Sequence, residues 1–337
     1  MAPTASGHVV REPSRVACLD GVATVVTVRH ALAIDIGGTK LAVGLVDAAG
    51  VLVHRCHAPT SPGTGEELYT RLRALVNELF VDGPVERSAV TVCGVGCGGP
   101  MEPGGTTVSP LNIPQWREFP LRERLCADLN LPIFIDNDAK ALAIGEGWRG
   151  AARGEHNYIA LVVSTGVGGG IVVDGRLLDG SHANAGHIGH MVVVPGGRLC
   201  ACGARGCLEA EASGSSIVAI TGRAAVHAPL AVRRRTGRLV GEALGAVVHL
   251  LDLRLAVVAG SVALGFGAPF FEAAQEALEH TARLSFARGA RVVPAGLGTS
   301  GPLIGAAAVG WRAMGLDFGV PSSPAPSGSR GGEDVRP

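Results

Sequence analysis

One local pattern occurs twice in this chain, and it narrows the available folds more than any other feature. An apolar strand at 31–37 ends in a glycine-rich turn, a second strand follows at 41–46, and the run Asp-Ala-Ala-Gly at 47–50 turns the chain into a third strand at 51–55. The order restarts at 158–163 with another apolar strand, the run Ser-Thr-Gly-Val-Gly-Gly-Gly at 164–170, a strand at 171–173, and a turn at Asp174 and Gly175. Glycine and aspartate punctuate strands because they accept the backbone angles that tight turns demand. Such a repeat reads as an internal duplication. It predicts two similar α/β lobes facing each other across a cleft, and small-molecule sites often lie at such junctions.

The segments between the repeats fit that reading. Leu68, Leu72, Leu75, Val76 and Leu79 recur at helical spacing, predicting a helix over 66–80. Strands are expected at 89–96 and 132–136, and helices at 121–129 and 139–148. A chain of 337 residues favours two domains, placed at 30–138 and 139–318, with a C-terminal helix packing back on the first lobe. Hydrophobic residues make up 47% and charged residues 17%, enough for large cores. Zero net charge gives no electrostatic footprint for nucleic acid or an anionic membrane. The uncharged stretch 255–271 is broken by Gly260, Gly265, Gly267 and Pro269, so it reads as a buried strand followed by a turn and not as a membrane span. Residues 1–29 lack a signal-peptide pattern and are expected to be a disordered extension. The Pro/Ser/Gly-rich tail at 319–337 is expected to be disordered too.

Four residues stand out chemically. His190, Cys200, Cys202 and Cys207 fall in one glycine-rich loop, and a d¹⁰ ion such as Zn²⁺ takes four N/S ligands in a tetrahedron. Four protein ligands leave no open position, which makes the metal structural. The remaining cysteines, Cys18, Cys56, Cys93, Cys97 and Cys126, are scattered and read as buried free thiols of a reducing, cytoplasmic compartment. Glu209 lies two residues past Cys207, so the metal would fix it. A rigid glutamate beside the free nitrogen of a ligating histidine suits a polyol.

The first glycine turn, Asp-Ile-Gly-Gly-Thr-Lys at 35–40, lets backbone N–H groups approach an anion. It lacks P-loop spacing. Asp35 could orient Mg²⁺ on a phosphate through water. The second turn lies between two strands, so it is no dinucleotide fingerprint. Asp136, Asn137 and Asp138 stand where a strand meets a helix. A carboxylate there can take a proton from a hydroxyl nucleophile, while Asn and Asp are also preferred helix caps. Both hold if Asp136 or Asn137 caps and Asp138 faces the cleft.

Together these pieces resemble the ROK family (repressors, open reading frames, kinases) of the sugar-kinase and actin-like ATPase group, over residues 31–315. The two glycine turns match its phosphate motifs. The run Leu-Ala-Val-Val-Ala-Gly-Ser at 255–261 stands at the adenosine-side motif, and the Cys/His loop with Glu209 is the family's most specific signature. The resemblance implies an α/β fold of two similar actin-like ATPase (ribonuclease H-like) lobes around a cleft, with a zinc-binding loop at 186–209. It implies ATP and phosphate contacts at Asp35, Gly37, Gly38, Thr39, Lys40, Thr165, Gly166, Gly168 and Gly260. Sugar contacts fall on Gly98, Asn112, Asn137, Asp138, His187, His190 and Glu209, with Asp138 the catalytic base and His190, Cys200, Cys202 and Cys207 the zinc ligands. ATP, Mg²⁺ and a structural Zn²⁺ follow, as does assembly into a homodimer or homotetramer.

Three departures stand out. His187 replaces the family's usual glutamate, as in bacterial N-acetylmannosamine kinases. The 211–255 segment is shorter than usual, implying trimmed helices beside the nucleotide, and Ser261 stands where a third glycine is common. The expected activity is transfer of the ATP γ-phosphate to the 6-hydroxyl of a hexose, with glucose first and N-acetylmannosamine as the alternative. A sugar-sensing repressor needs a helix-turn-helix pattern, absent from the residues before 31, and a catalytically weak structural protein is the remaining reading.

Overall fold

The computed structural model describes residues 29–81, 83–316 and 318. The expected extension before residue 29, the tail at 319–337 and Cys18 lie outside the described residues.

The first lobe runs β1 (His30–Ile36), β2 (Lys40–Asp47), β3 (Leu52–Pro59), α1 (Gly65–Val81), β4 (Val90–Cys97), α2 (Leu121–Leu129) and β5 (Ile133–Asn137). Helix α3 (Asp138–Arg149) leads into the second lobe, with β6 (Tyr158–Val163), β7 (Val167–Val173), β8 (Arg176–Leu177), α4 (Leu208–Ala212), α5 (Gly214–Thr221) and α6 (Leu230–Leu251). Then follow β9 (Leu255–Ala259), α7 (Ser261–Phe266), α8 (Ala268–Thr281), β10 (Arg291–Pro294) and α9 (Gly301–Ala313). The sheets have the orders β3-β2-β1-β4-β5 and β10-β9-β6-β7-β8. In each, the first three strands form an antiparallel meander, and the next two add in parallel on the other side of the first strand. The strand–turn–strand repeat in the sequence is therefore the visible part of a repeat of whole sheet topology.

Local chemistry sets the turns. Asp47 Oδ1 accepts from the backbone N–H groups of Ala49 and Val51, closing the β2–β3 turn. Asp174 and Gly175 both take positive φ (50° and 72°), as a two-residue hairpin of type I′ requires. At the start of α1, Thr64 N–H donates to Glu67 Oε2 (2.7 Å) while Glu67 N–H donates to Thr64 Oγ1 (3.2 Å), a reciprocal capping box.

The layers follow from alternation along the strands. Leu32, Ile34 and Ile36 of β1 face the core shared with α1 and α2, whereas Ala31 and Ala33 face α3 and α9. In β6, Ile159, Leu161 and Val163 face α6 and α8, and Tyr158 and Ala160 face α3 and α9. The result is five layers, with α3 and α9 between the two sheets. Glycines stand where these helices cross each other and the strands because a larger residue has no room at those points. A Cβ added to Gly94 of β4 would overlap the Ala306 carbonyl oxygen of α9, and one on Gly305 would sit 2.5 Å from the Ala141 carbonyl oxygen of α3.

Three expectations need correction. The glycine-rich run 164–170 is not all turn: β7 begins at Val167. Gly168 and Gly170 lie within that strand because α3 crosses close above it, leaving an added Cβ 3.1 Å from Ala139 Cβ and 2.7 Å from Lys140 Cα respectively. The 255–271 stretch continues past β9 as α7 and α8, not as a turn. Gly267 (φ 60°) breaks the chain between the two helices, and Pro269 occupies the first turn of α8, where a missing N–H costs nothing. Among the scattered cysteines, Cys93 and Cys97 are buried, but Cys56 is partly exposed on edge strand β3 and Cys126 is exposed on α2. The 211–255 segment forms the end of α4, all of α5 and the 22-residue α6. Among the described residues no helix is long and apolar enough to cross a membrane.

Replacing glycine by alanine in a helix ordinarily gains about 1 kcal/mol. At Gly305 the α3–α9 crossing reverses that sign: Gly305→Ala is expected to lose roughly 1–3 kcal/mol in urea unfolding, and a gain would contradict the close approach.

Candidate active site

The lobes enclose a cleft of about 590 Å³. Its floor is the level at which β1, β4 and β5 end, where Asp35 pairs with Gly96 and Gly96 with Asp136. Gly96 lies against both acids. A Cβ there would lie 3.5 Å from Asp138 Cα and 3.8 Å from Asp35 Oδ1.

Asn137 caps α3, its Oδ1 accepting from the N–H groups of Ala139 (3.0 Å) and Lys140 (3.4 Å). That leaves Asp138, the first helical residue, facing the cleft. Burial raises the Asp138 pKa, and Glu209 adds to the rise against a hydrogen bond from Ala139 N–H. Burial, and then the Asp138 carboxylate, push Asp35 up to about 7, against the pull of Lys40. Two neighbouring acids that resist simultaneous ionisation suit a site that receives protons or cations.

Glycine turns enter from both lobes. In the first, Gly37 N–H donates to the Lys40 carbonyl (3.0 Å) and Thr60 Oγ1 donates to the Gly37 carbonyl (2.7 Å). In the second, Gly214 N–H donates to the Ser164 carbonyl (2.7 Å), Ser215 Oγ donates to the Thr165 carbonyl (2.9 Å), and the Ser164 and Ser261 hydroxyls are 3.0 Å apart. Gly38 lies against Asn112, and Gly166 lies between Asn112 Nδ2 and Glu209 Oε2. Glu209 Oε2 also accepts from Val167 N–H at 2.8 Å. Groups expected to hold phosphate and groups expected to hold sugar thus lie side by side in the cleft. His187 and Asn137 both lie against Gly99. Burial, and then His190, lower its pKa, which favours the neutral ring.

Ligand-type atoms of His190, Cys200, Cys202 and Cys207 all lie within 4.8 Å of one another. Cys200 Sγ is 3.6 Å from His190 Nδ1, and Cys202 Sγ is 3.7 Å from Cys207 Sγ. Zinc–sulfur bonds of ~2.3 Å in a tetrahedron put sulfurs about 3.8 Å apart, so these donors fit such an ion. The loop is also anchored from outside: buried Glu211 accepts from Arg198 N–H (2.8 Å) and from Arg235 Nη2 of α6 (2.6 Å).

Every cleft residue expected from the sequence lines the cavity: Asp35, Gly37, Gly38, Thr39, Lys40, Gly98, Asn112, Asn137, Asp138, Thr165, Gly166, Gly168, His187, His190, Glu209 and Gly260. Others were missed. Leu264 of α7 and the segment with Gly298, Thr299 and Pro302 also line it. The run Gly-Thr-Ser-Gly-Pro at 298–302 was the available signal. Lys140, buried in α3, pairs with Asp136 (2.9 Å) and Asp179 (2.7 Å) and ties the 179–187 loop to the helix that begins at Asp138.

Comparison with known proteins gives a consistent set. The ROK family pattern matches residues 31–312. A glucokinase of Halalkalibacterium halodurans is 38% identical over 197 residues, covering 57% of this chain and 59% of that protein; the chain thus matches less than two thirds of that relative's length. An N-acetylmannosamine kinase of Yersinia pestis is 34% identical over 251 residues, 70% of this chain and 84% of that protein. A ROK family glucokinase from Streptomyces griseus, solved with glucose and AMPPNP, superposes with a TM-score of 0.74 at 28% identity over 84% of this chain and 99% of that one. The actin-like ATPase fold is the common architecture.

The acid pair predicts a pH signature. With its pKa raised from the ordinary 3.8 to about 7, Asp35 costs the folded chain nothing below pH ~3, where both states are protonated. The cost grows as the unfolded state ionises first, and is complete above pH ~7. Asp35→Asn should therefore raise stability without Mg²⁺ or nucleotide by roughly 1–3 kcal/mol at pH 8 and by nothing near pH ~3. Urea unfolding across that range checks it, and a pH-independent difference would contradict it.

Proposed function

The chain belongs to the ROK family, and we propose that it is an ATP-dependent sugar kinase acting on the 6-hydroxyl of a hexose, with glucose as the preferred substrate. The observation that carries this reading is Asp138, held at the start of α3 between two glycine turns and next to Glu209, with its proton affinity raised. In the reaction, Asp138 accepts the proton of the sugar hydroxyl as its oxygen bonds to the γ-phosphorus and the bond to the departing ADP oxygen breaks. The proton then leaves Asp138 for solvent. The chain's part is mostly positioning: backbone N–H groups of the two turns hold the phosphates, and Asn112, Asn137, His187, His190 and Glu209 hold the sugar. Mg²⁺, when bound with ATP, neutralises phosphate charge, and Asp35 and its bound waters would hold it.

His190, Cys200, Cys202 and Cys207 would hold a structural zinc ion that fixes the loop carrying Glu209. A second reading rests on His187: an uncharged ring beside Asn137 in place of a carboxylate favours N-acetylmannosamine, in line with the kinase of that name among the relatives.

Asp138→Asn is expected to bind glucose within a few-fold of wild type and to lose about 10²–10⁴-fold in kcat, read in a coupled ADP-release assay. Near-normal turnover in that variant would remove Asp138 as the base. A panel of glucose, mannose and N-acetylmannosamine ranks the two sugar readings by kcat/KM. Elemental analysis should find one zinc per chain, and Cys202→Ser should lose the metal together with sugar affinity; a metal-free wild type that turns over normally would refute the zinc assignment.

A further inference from the structure

Glu146 is a fully buried carboxylate that the reaction does not use. It lies on α3 eight residues after Asp138, about 12 Å along the same helix. Burying a carboxylate is expensive unless hydrogen bonds replace its water. None of the ion pairs among the described residues includes Glu146. Its compensation comes from backbone amides. Oε2 accepts from Ala151 N–H (2.7 Å) and Gly296 N–H (3.0 Å), and Oε1 accepts from Leu297 N–H (3.1 Å). The last two bonds span about 150 residues of sequence and reach the turn between β10 and α9.

That turn leads directly into the cleft. Gly298, Thr299 and Pro302 line it next to Gly260, Ser261 and Leu264. Ala295 N–H donates to the Val258 carbonyl (3.0 Å), so the same turn is also tied to β9, whose end carries Gly260. The fit around the carboxylate leaves no slack: a Cβ on Gly150 would overlap Glu146 Oε2, and one on Gly296 would sit 2.8 Å from Ala151 N.

We infer that Glu146 is a positioning residue that sets the nucleotide end of the cleft relative to Asp138, by clamping the 296–297 backbone to the far end of the helix that Asp138 begins. One rigid helix then spaces the proton acceptor from the segment facing the nucleoside. This rests on reading the cleft as a nucleotide site. Glutamine at 146 offers one carbonyl oxygen: placed as Oε2 it keeps the Ala151 and Gly296 bonds but turns an NH₂ group toward the Leu297 N–H, so one of the three bonds becomes a donor facing a donor and the clamp loosens.

The test is calorimetric binding of AMPPNP, glucose and N-acetylmannosamine to wild type, Glu146→Gln and Gly296→Ala. Both variants should bind AMPPNP at least about tenfold more weakly, since hydrogen bonds to a charged group are among the stronger ones, while sugar affinity stays within twofold. Unchanged AMPPNP affinity in either folded variant, or equal weakening for nucleotide and sugar, would overturn the inference in favour of a general brace. Hydrogen exchange on wild type adds a readout that needs no variant: the Gly296 and Leu297 amides should be protected without ligand, and rapid exchange there would overturn the clamp. A wild type that binds AMPPNP yet phosphorylates no sugar would defeat the kinase reading while leaving this inference standing; one that binds no AMPPNP defeats both.

Discussion

The structure depends on a helix layer that touches its neighbours backbone to backbone at a few glycines. Helices α3 and α9 lie between two sheets, and at Gly94, Gly170 and Gly305 the neighbouring backbones come within a distance that a single methyl group would close. Close packing of this kind transmits position faithfully because nothing soft intervenes. Helix α3 uses that rigidity along its length: Asn137 caps it, Asp138 faces the cleft, Lys140 holds the 179–187 loop and Glu146 holds the 296–297 turn. Four polar residues on one helix thus fix parts of the cleft drawn from both lobes.

Electrostatics at the floor also centre on a glycine. Asp35 and Asp138 both lie against Gly96, and the Asp138 charge adds to the burial that raises Asp35. Such a pair is poorly satisfied when the cleft holds only water. A cation or a donating hydroxyl beside the pair would favour its ionised form.

The sequence disclosed the parts of the fold that rest on short-range patterns. The duplicated strand–turn–strand units, the amphipathic α1 and the Cys/His loop each declare themselves within about two dozen residues. The polar cap at Asn137 was legible for the same reason, since capping is a local bond. What stayed hidden was set by distant backbone. Gly168 and Gly170 read as turn residues because sequence alone does not show that α3 passes over them. Pro269 read as a breaker although the first turn of a helix tolerates it. Nothing local marks Lys140 as buried, because its partner Asp179 lies 39 residues further along the chain. The contribution of 298–302 was missed because its role comes from where β10 delivers it, not from its composition.

The strand order has a consequence for solubility at high concentration. The outer strands of the two sheets are β3 and β5 in one, and β8 and β10 in the other. β3 carries His54, Arg55 and His57 and ends in Pro59, β8 has two residues, β5 has five, and β10 has four and ends in Pro294. Short edges, charges and prolines are what deny another chain a strand to pair with. A protein with nearly half its residues apolar therefore offers other molecules little open backbone for strand-by-strand association.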